Sequence, residues 1–354
     1  MKILQRYLTI NLCWVTLSAL LVLVSLFAFF SVIDQLELTG RGNYGVGDAM
    51  LYVLLTTPRL AYDLFPIAAV IGGMAALGVL AHGSELTAIR CAGVSRLELS
   101  VLLAKAGFLL IVGAVITGEL IAPVTEELAQ QRRSMALSDR LAMNARNGFW
   151  GKDGNSFVNV RKILPDNRVE ELYIYEFDEG DQLRSATFAA KASYAGDRWL
   201  LEDLTQTEIS ESGVSQTRHE TGIWESELQP ALFNSVIMEP QRLTLKGLYK
   251  YVEYLEQNAE DTSRYEQAIW TKFTKPFAIL TMLLLAIPLV RTHSRQTPVA
   301  RQIFFGALAG IVFHIVNQIT GHLGIVYHWP ALPSVALPTG LLLVYVLHSL
   351  RARA

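Results

Sequence analysis

Residues 7–33, YLTINLCWVTLSALLVLVSLFAFFSVI, run for 27 positions without a charged side chain. The hydrocarbon core of a bilayer is about 30 Å thick and takes about 20 apolar residues of helix, so this stretch is long enough to cross it. A cleavable signal has a shorter apolar region of about 7–15 residues followed by a small-residue cleavage site. No A-x-A site follows here, so the segment reads as a retained first span.

Further spans emerge outward from it. Leu64–Ala81 is charge-free, and Leu99–Ile121 is charged only near its ends, at Lys105 and Glu119. Ile269–Val290 carries Lys272 and Lys275 near its start. Gln302–Leu350 holds no charge, but Gly324, Pro330, Pro333 and Pro338 break it into spans near 303–323 and 334–350. Six spans result, three on each side of a polar insert in a chain of 354 residues.

Charge asymmetry orients such a bundle. With the N-terminus cytoplasmic, the cytoplasmic stretches hold Lys2, Arg6, Arg90, Arg96, Lys105, Arg291, Arg295, Arg301, Arg351 and Arg353 against Glu85 and Glu98. The insert, over 126–264, holds 24 acids and 16 bases and falls outside. Both termini are therefore expected in the cytoplasm. The two cysteines, Cys13 in the first span and Cys91 in a cytoplasmic loop, are too far apart in this arrangement to pair, and the insert has none.

Residues 124–146 have helical composition and would carry the third span outward. From Asn147 the period becomes that of strands. Phe157–Val160, Leu172–Phe177, Leu183–Tyr194, Trp199–Leu204 and Ser215–Trp224 are short, β-branched or aromatic, and separated by turn clusters at 152–155, 165–167, 178–181 and 195–197. The insert thus reads as an all-β sandwich or jellyroll. Its nine large aromatics, from Trp150 to Trp224, exclude a disordered linker. Leu245, Leu248, Tyr251, Val252 and Leu255 then recur at helical spacing, and Ser263-Arg-Tyr-Glu266 fits a capping box opening the fourth span. The expected architecture is a transmembrane bundle over 1–123 and 265–354, with a β domain and flanking helices over 124–264.

Catalytic signatures are missing: there is no G-x-x-x-x-G-K-[ST], H-E-x-x-H, G-x-S-x-G or C-x-x-C. No catalytic residue, metal site or cofactor is expected in this chain, and no nucleic-acid partner. His314, Gln318 and His322, at i, i+4 and i+8 with Asn317 beside them, suit interhelical hydrogen bonds better than a metal. Gly72, Gly73, Gly78 and Gly306-x-x-x-Gly310 suit close helix packing.

The loop between spans two and three, Ser84-Glu-Leu-Thr-Ala-Ile-Arg-Cys-Ala-Gly-Val-Ser-Arg-Leu-Glu-Leu99, carries the most information about function. Leu86, Ile89, Val94 and Leu97 form an apolar ridge with Glu85, Arg90 and Arg96 on polar sides, and Gly93 marks a break or a close-packing point. Such a short amphipathic helix fits a groove on a soluble partner, or lies in the lipid interface.

The run S-E-L-x₆-G-x-x-R at 84–96, after a Gly- and Ala-rich second span, resembles the LptF/LptG family of lipopolysaccharide export permeases. The chain is similar to the LptG branch at Val32-Ile-Asp-Gln-Leu36, at Trp150-Gly-Lys-Asp-Gly-Asn-Ser-Phe-Val158, and at Arg264-Tyr with Trp270-Thr-Lys and Pro276. The resemblance covers essentially the whole chain. It implies an inner-membrane permease with a periplasmic β-jellyroll, paired with LptF, driven by an LptB ATPase dimer that holds the ATP and Mg, and passing lipopolysaccharide to LptC. It also places a coupling role on 84–99, on Glu85 with Leu86, Ile89, Gly93 and Arg96. For the lipid it places Arg59 and Arg133 near the phosphates, with Arg132, Arg41 and Asp34 as further substrate-binding candidates.

The residues alone leave alternatives. Arg59 and Asp63, at i and i+4 at the external start of span two, can pair with each other or Arg59 can face a phosphate. Arg132 and Arg133, above span three, have the same ambiguity. The chain also departs from the family, which can carry lysines near the external end of span one where this sequence has Ser31, Glu37 and Leu38, with Arg41 further on. A permease for another lipid or a lipoprotein, and a non-transporting receptor or assembly factor, are the competing functions.

Overall fold

A computed structural model describes residues 2–141, 149–153, 155–164, 168–178, 182–195, 198–210, 213–224, 226, 240–258, 260–290 and 298–352. In chain order these form α1 (Lys2–Leu36), α2 (Val46–His82), α3 (Glu85–Cys91) and α4 (Arg96–Ile116), then a π-helical turn (Thr117–Ile121) that continues into α5 (Ala122–Leu141). Strands β1 (Phe149–Asp153), β2 (Ser156–Leu164), β3 (Arg168–Phe177), β4 (Leu183–Tyr194), β5 (Trp199–Ser210) and β6 (Gly213–Trp224) follow. After them come α6 (Leu245–Gln257), α7 (Ser263–Leu289), α8 (Val299–Val326) and α9 (Ala331–Ala352). The turn clusters at 165–167, 179–181 and 196–197, Gly154 of the 152–155 cluster, and the helical reading beyond Leu141, lie outside the described residues.

The chain divides into two compact units, one of Met1–Gly40, Tyr44–Arg133 and Ser263–Ala354, the other of Arg41–Asn43 and Ser134–Thr262. Among the described residues, six helices are long and apolar enough to cross a membrane: α1, α2, the continuous α4–α5 rod, α7, α8 and α9. In the most apolar window of α2, 89% of residues are buried, against 11% for α1 and 17% for α8. Helix α2 is therefore the axis of the bundle, and α1 and α8 present most of their apolar surface outward.

Small residues let the other helices approach α2. A side chain at Gly72 would collide with Thr16 of α1, and Cβ atoms at Gly306 and Gly310 of α8 would sit 3.3 Å from Ile71 Cα and 2.9 Å from Ile67 Cγ2. Backbones that close gain dispersion contact without the hydrophobic drive that lipid cannot supply. The core of this unit runs through Leu8, Leu12, Leu77, Leu103, Met282 and Leu283.

Two boundaries differ from the sequence reading. Helix α2 begins at Val46, well before the charge-free block, because 46–58 is itself apolar and Pro58 is accommodated inside the helix. Its start is fixed by Asp48, whose carboxylate accepts the Gly45 N–H at 2.9 Å. Arg59 and Asp63 therefore lie inside a long helix and not at its first turn. At 84–99 the chain is not one helix: α3 ends at Cys91, Gly93 turns with φ +88°, and α4 opens at Arg96 under a capping box. In that box Glu98 N–H donates to Ser95 Oγ at 3.1 Å and Ser95 N–H donates to Glu98 Oε2 at 2.8 Å. A side chain at Gly93 would meet nothing within 4 Å, so the glycine serves the turn and not close packing.

In the second unit the six strands pair antiparallel in sequence order, an up-and-down meander. Val158, Val160, Leu172, Ile174, Ala189, Trp199, Leu201 and Leu204 form its core, with Tyr254 of α6 packed against it. Strand alternation alone would put Val169 and Leu172, or Leu201 and Leu204, on opposite faces. Yet all four are buried, and a single left-handed residue lies between the members of each pair, Glu171 (φ +56°) and Asp203 (φ +51°). One residue out of phase resets the alternation and keeps one face inside. Helix α6 buries Leu248, Tyr251, Val252 and Leu255 of the five positions its spacing predicts, leaving Leu245 half-buried, and Thr244 caps it by accepting the Gly247 N–H at 3.1 Å.

Trp199 is fully buried and touches Tyr194 and Trp224. Replacing it with Ala should cost about 3–5 kcal/mol, so the β4 and β5 amides of the intact protein should exchange with deuterium on the order of 10²–10⁴-fold faster. Unchanged protection would show that the sheet does not depend on this side chain.

Candidate functional site

Five charged side chains meet between three helices of the first unit. Arg59 and Asp63 come from α2, Lys272 and Lys275 from α7, and Glu119 from the π-helical turn. The Arg59 Nε donates to Asp63 Oδ2 at 3.1 Å, and Lys275 Nζ donates to Asp63 Oδ1 at 2.5 Å. Asp63 thus uses one oxygen for its own helix and the other for α7. Lys272, with 5% of its side chain exposed, pairs with Glu119 at 2.5 Å.

Tyr62 organises the space between these pairs. Lys275 Nζ lies 3.9 Å from the centre of its ring and Arg59 Cζ lies 5.7 Å from it, so both cations face an aromatic quadrupole. On another side the π turn presses Gly118 against the ring, where an added Cβ would fall 2.5 Å from Cδ2. The extra residue in a π turn shifts the side chains that follow it, and such turns recur at functional sites. Here the turn places Glu119 toward Lys272.

A second polar group surrounds Tyr52, two turns before Arg59 on α2, about 10 Å along the axis. Its hydroxyl accepts from Arg133 Nη1 at 3.3 Å and from Gln130 Nε2 at 3.1 Å, and the Arg133 guanidinium stacks 5.0 Å above its ring. Tyr44, 2% exposed, donates to Gln35 Oε1 at 3.2 Å. Burial pushes the Tyr44 phenol above its ordinary range despite the opposing field of Arg133, so it remains a donor.

The third group is the α3 corner. Tyr7 of α1 donates its hydroxyl proton to Glu85 Oε2 at 2.8 Å, and Leu86 is buried in the helical core. Ile89 and Val94 are half-buried, but Leu97, at 45% exposed, belongs to α4 and leaves the ridge. Arg96 likewise sits in the first turn of α4. Burial and the neighbouring Arg96 guanidinium push Arg90 below its ordinary range.

Arg59 is thus joined to Asp63, and Arg133 to Tyr52, while Arg132 and Asp34 are exposed. Arg41, also exposed, belongs to the second unit. His314, Gln318 and His322 are exposed on α8, away from the described core of the bundle. Sequence reasoning missed Lys272, Lys275, Glu119, Tyr62, Tyr52 and Tyr7. The one signal available for the first three was charge within otherwise apolar spans.

Fold and site define a multi-pass membrane protein with an inserted β domain and a cation-rich polar cluster inside its bundle. The chain belongs to the family described as lipopolysaccharide export system permease LptF/LptG, which residues 6–351 match. It is 33% identical over 345 residues to the lipopolysaccharide export system permease protein LptG of Haemophilus influenzae, covering 97% of this chain and 96% of that one. It is 29% identical over 340 residues to the protein of the same name from Escherichia coli, covering 95% and 94%.

Removing one partner of a buried ion pair strands the other, at about 3–5 kcal/mol, whereas replacing both is far milder. Lys272→Met should therefore lower the thermal midpoint in detergent markedly, and Lys272→Met with Glu119→Gln should recover most of the loss. Additive losses would show that the two side chains are not coupled.

Proposed function

We propose that this chain is the LptG-type permease subunit of an exporter that withdraws lipopolysaccharide from the inner membrane and passes it to a periplasmic bridge. The observation that carries the reading is the family match over residues 6–351. In this reading both termini are cytoplasmic, the β domain is periplasmic, LptF is the second permease subunit, and LptC receives the lipid. An LptB ATPase dimer, with its ATP and Mg, supplies the work. Withdrawing a lipid from the bilayer into water costs about 0.8 kcal/mol per CH₂, so both an apolar path and an energy source are required.

Three features support the assignment of parts. The outward apolar faces of α1 and α8 suit a lipid path completed by a second subunit. Helix α3 presents Glu85 at the end of the bundle where α1 begins, with Tyr7 holding one carboxylate oxygen and leaving the other for a cation of the ATPase. Arg59 and Arg133 suit lipid phosphates, since each guanidinium is oriented by a protein partner and a planar fork of donors matches a phosphate.

Glu85→Ala should reduce co-purification of the ATPase and lipid release together, and full retention of both would refute coupling at α3. Arg59→Ala and Arg133→Ala, singly and together, should lower photocrosslinking to lipopolysaccharide. Unchanged crosslinking in all three would remove the phosphate assignment. Cys91 is exposed and Cys13 half-buried, so a membrane-impermeant maleimide should label Cys91 in inverted vesicles and not in spheroplasts. Labelling from the periplasmic side would reverse the topology.

A further inference from the structure

The five intramembrane charges do not cancel. Arg59, Lys272 and Lys275 bring three positive charges against the two of Asp63 and Glu119. Lys272 and Glu119 close on each other, which confines the surplus to Arg59, Asp63 and Lys275. An uncompensated cation among apolar helices is costly, so a group of three with one charge in excess calls for an anion. A purely structural pin would need Asp63 and Lys275 alone.

The geometry shows where that anion would bind. Asp63 takes the Nε edge of Arg59, which fixes the guanidinium plane, and among the described residues no protein acceptor meets Nη1 or Nη2. Those two nitrogens present parallel N–H bonds, the arrangement that grips a phosphate in bidentate fashion. Lys275 ties the same carboxylate to α7, so Asp63 cannot rotate to neutralise Arg59 completely. The side chain of Arg59 is 17% exposed, enough for its tip to be approached.

We propose that Asp63 and Lys275 are positioning residues, a brace that aims Arg59 at a headgroup phosphate of the transported lipid and keeps one positive charge in excess to attract it. The inference rests on the reading that Arg59 meets the lipid. It goes beyond that reading by assigning phosphate discrimination to a carboxylate–ammonium pair that touches no lipid.

The test uses the intact chain with its permease partner and ATPase in nanodiscs, and compares photocrosslinking of lipopolysaccharide with that of the same lipid stripped of its phosphates. Lys275→Met leaves Arg59 and Asp63 as a neutral pair. The preference for phosphorylated lipid should fall roughly tenfold, the worth of about one charge-assisted bond, and Lys275→Arg should restore it. Lys275→Gln, which keeps a polar side chain without the charge, should lose the preference as well and serves if the first variant fails to insert. A structural role would lower both lipids equally and leave their ratio unchanged. If Arg59→Ala abolishes the preference while the Lys275→Met and Lys275→Gln variants keep it, the brace is refuted and the Arg59 contact stands. If Arg59→Ala also keeps it, the contact and the brace both fall.

Discussion

Asp63 accepts a guanidinium from its own helix and an ammonium from α7, and the bundle is built around keeping those three charges out of lipid. Inside a membrane a charge survives by finding a partner or a polar cavity. That constraint accounts for several features at once. Gly118 admits the π turn against Tyr62, the π turn places Glu119 beside Lys272, and Tyr62 offers its ring to two cations. Helix α2 carries the central residues of this cluster and is the most buried span, so any rearrangement of the bundle must be felt there.

The two ends of that bundle are prepared differently. At one, α3 is short, separated from α4 by a left-handed glycine and a full capping box, and attached to α1 by Tyr7. A short helix bounded by a turn, with its apolar side chain Leu86 sunk into the core, can pass a push to the helices beneath it. At the other end Arg133, on the α4–α5 rod, is held against Tyr52 of α2. A π turn sits midway along that rod, where the ion-pair cluster meets it. In the proposed reading, force applied at the α3 end and lipid handled near Arg133 would share α2 and α4.

The six spans were legible because lipid imposes a length of uncharged sequence that few other environments require. The strands were legible from alternation and turn chemistry, and α6 from its 3.6-residue period. Arg59 and Asp63 could be paired by spacing alone, since i and i+4 share a helix face. Their link to Lys275 could not, because 212 positions separate the partners and nothing local encodes them. The π turn carries no local marker that separates it from ordinary helix. The left-handed positions at Glu171 and Asp203 were equally hidden, since neither is glycine or asparagine. By contrast, Ser95-Arg-Leu-Glu98 was readable as a capping box and would have divided 84–99 correctly. The early start of α2 escaped because Pro58 and two charges resemble a boundary, although its first turns are apolar.

The central claim is that this subunit couples ATP hydrolysis to extraction of a phosphorylated lipid. Its most direct test is ATP-dependent release of lipopolysaccharide from proteoliposomes containing this chain, its permease partner and the ATPase, followed by capture on an external acceptor. The account predicts release that requires ATP and all three components. Release that proceeds equally well without this chain, or ATP turnover that moves no lipid, would contradict it.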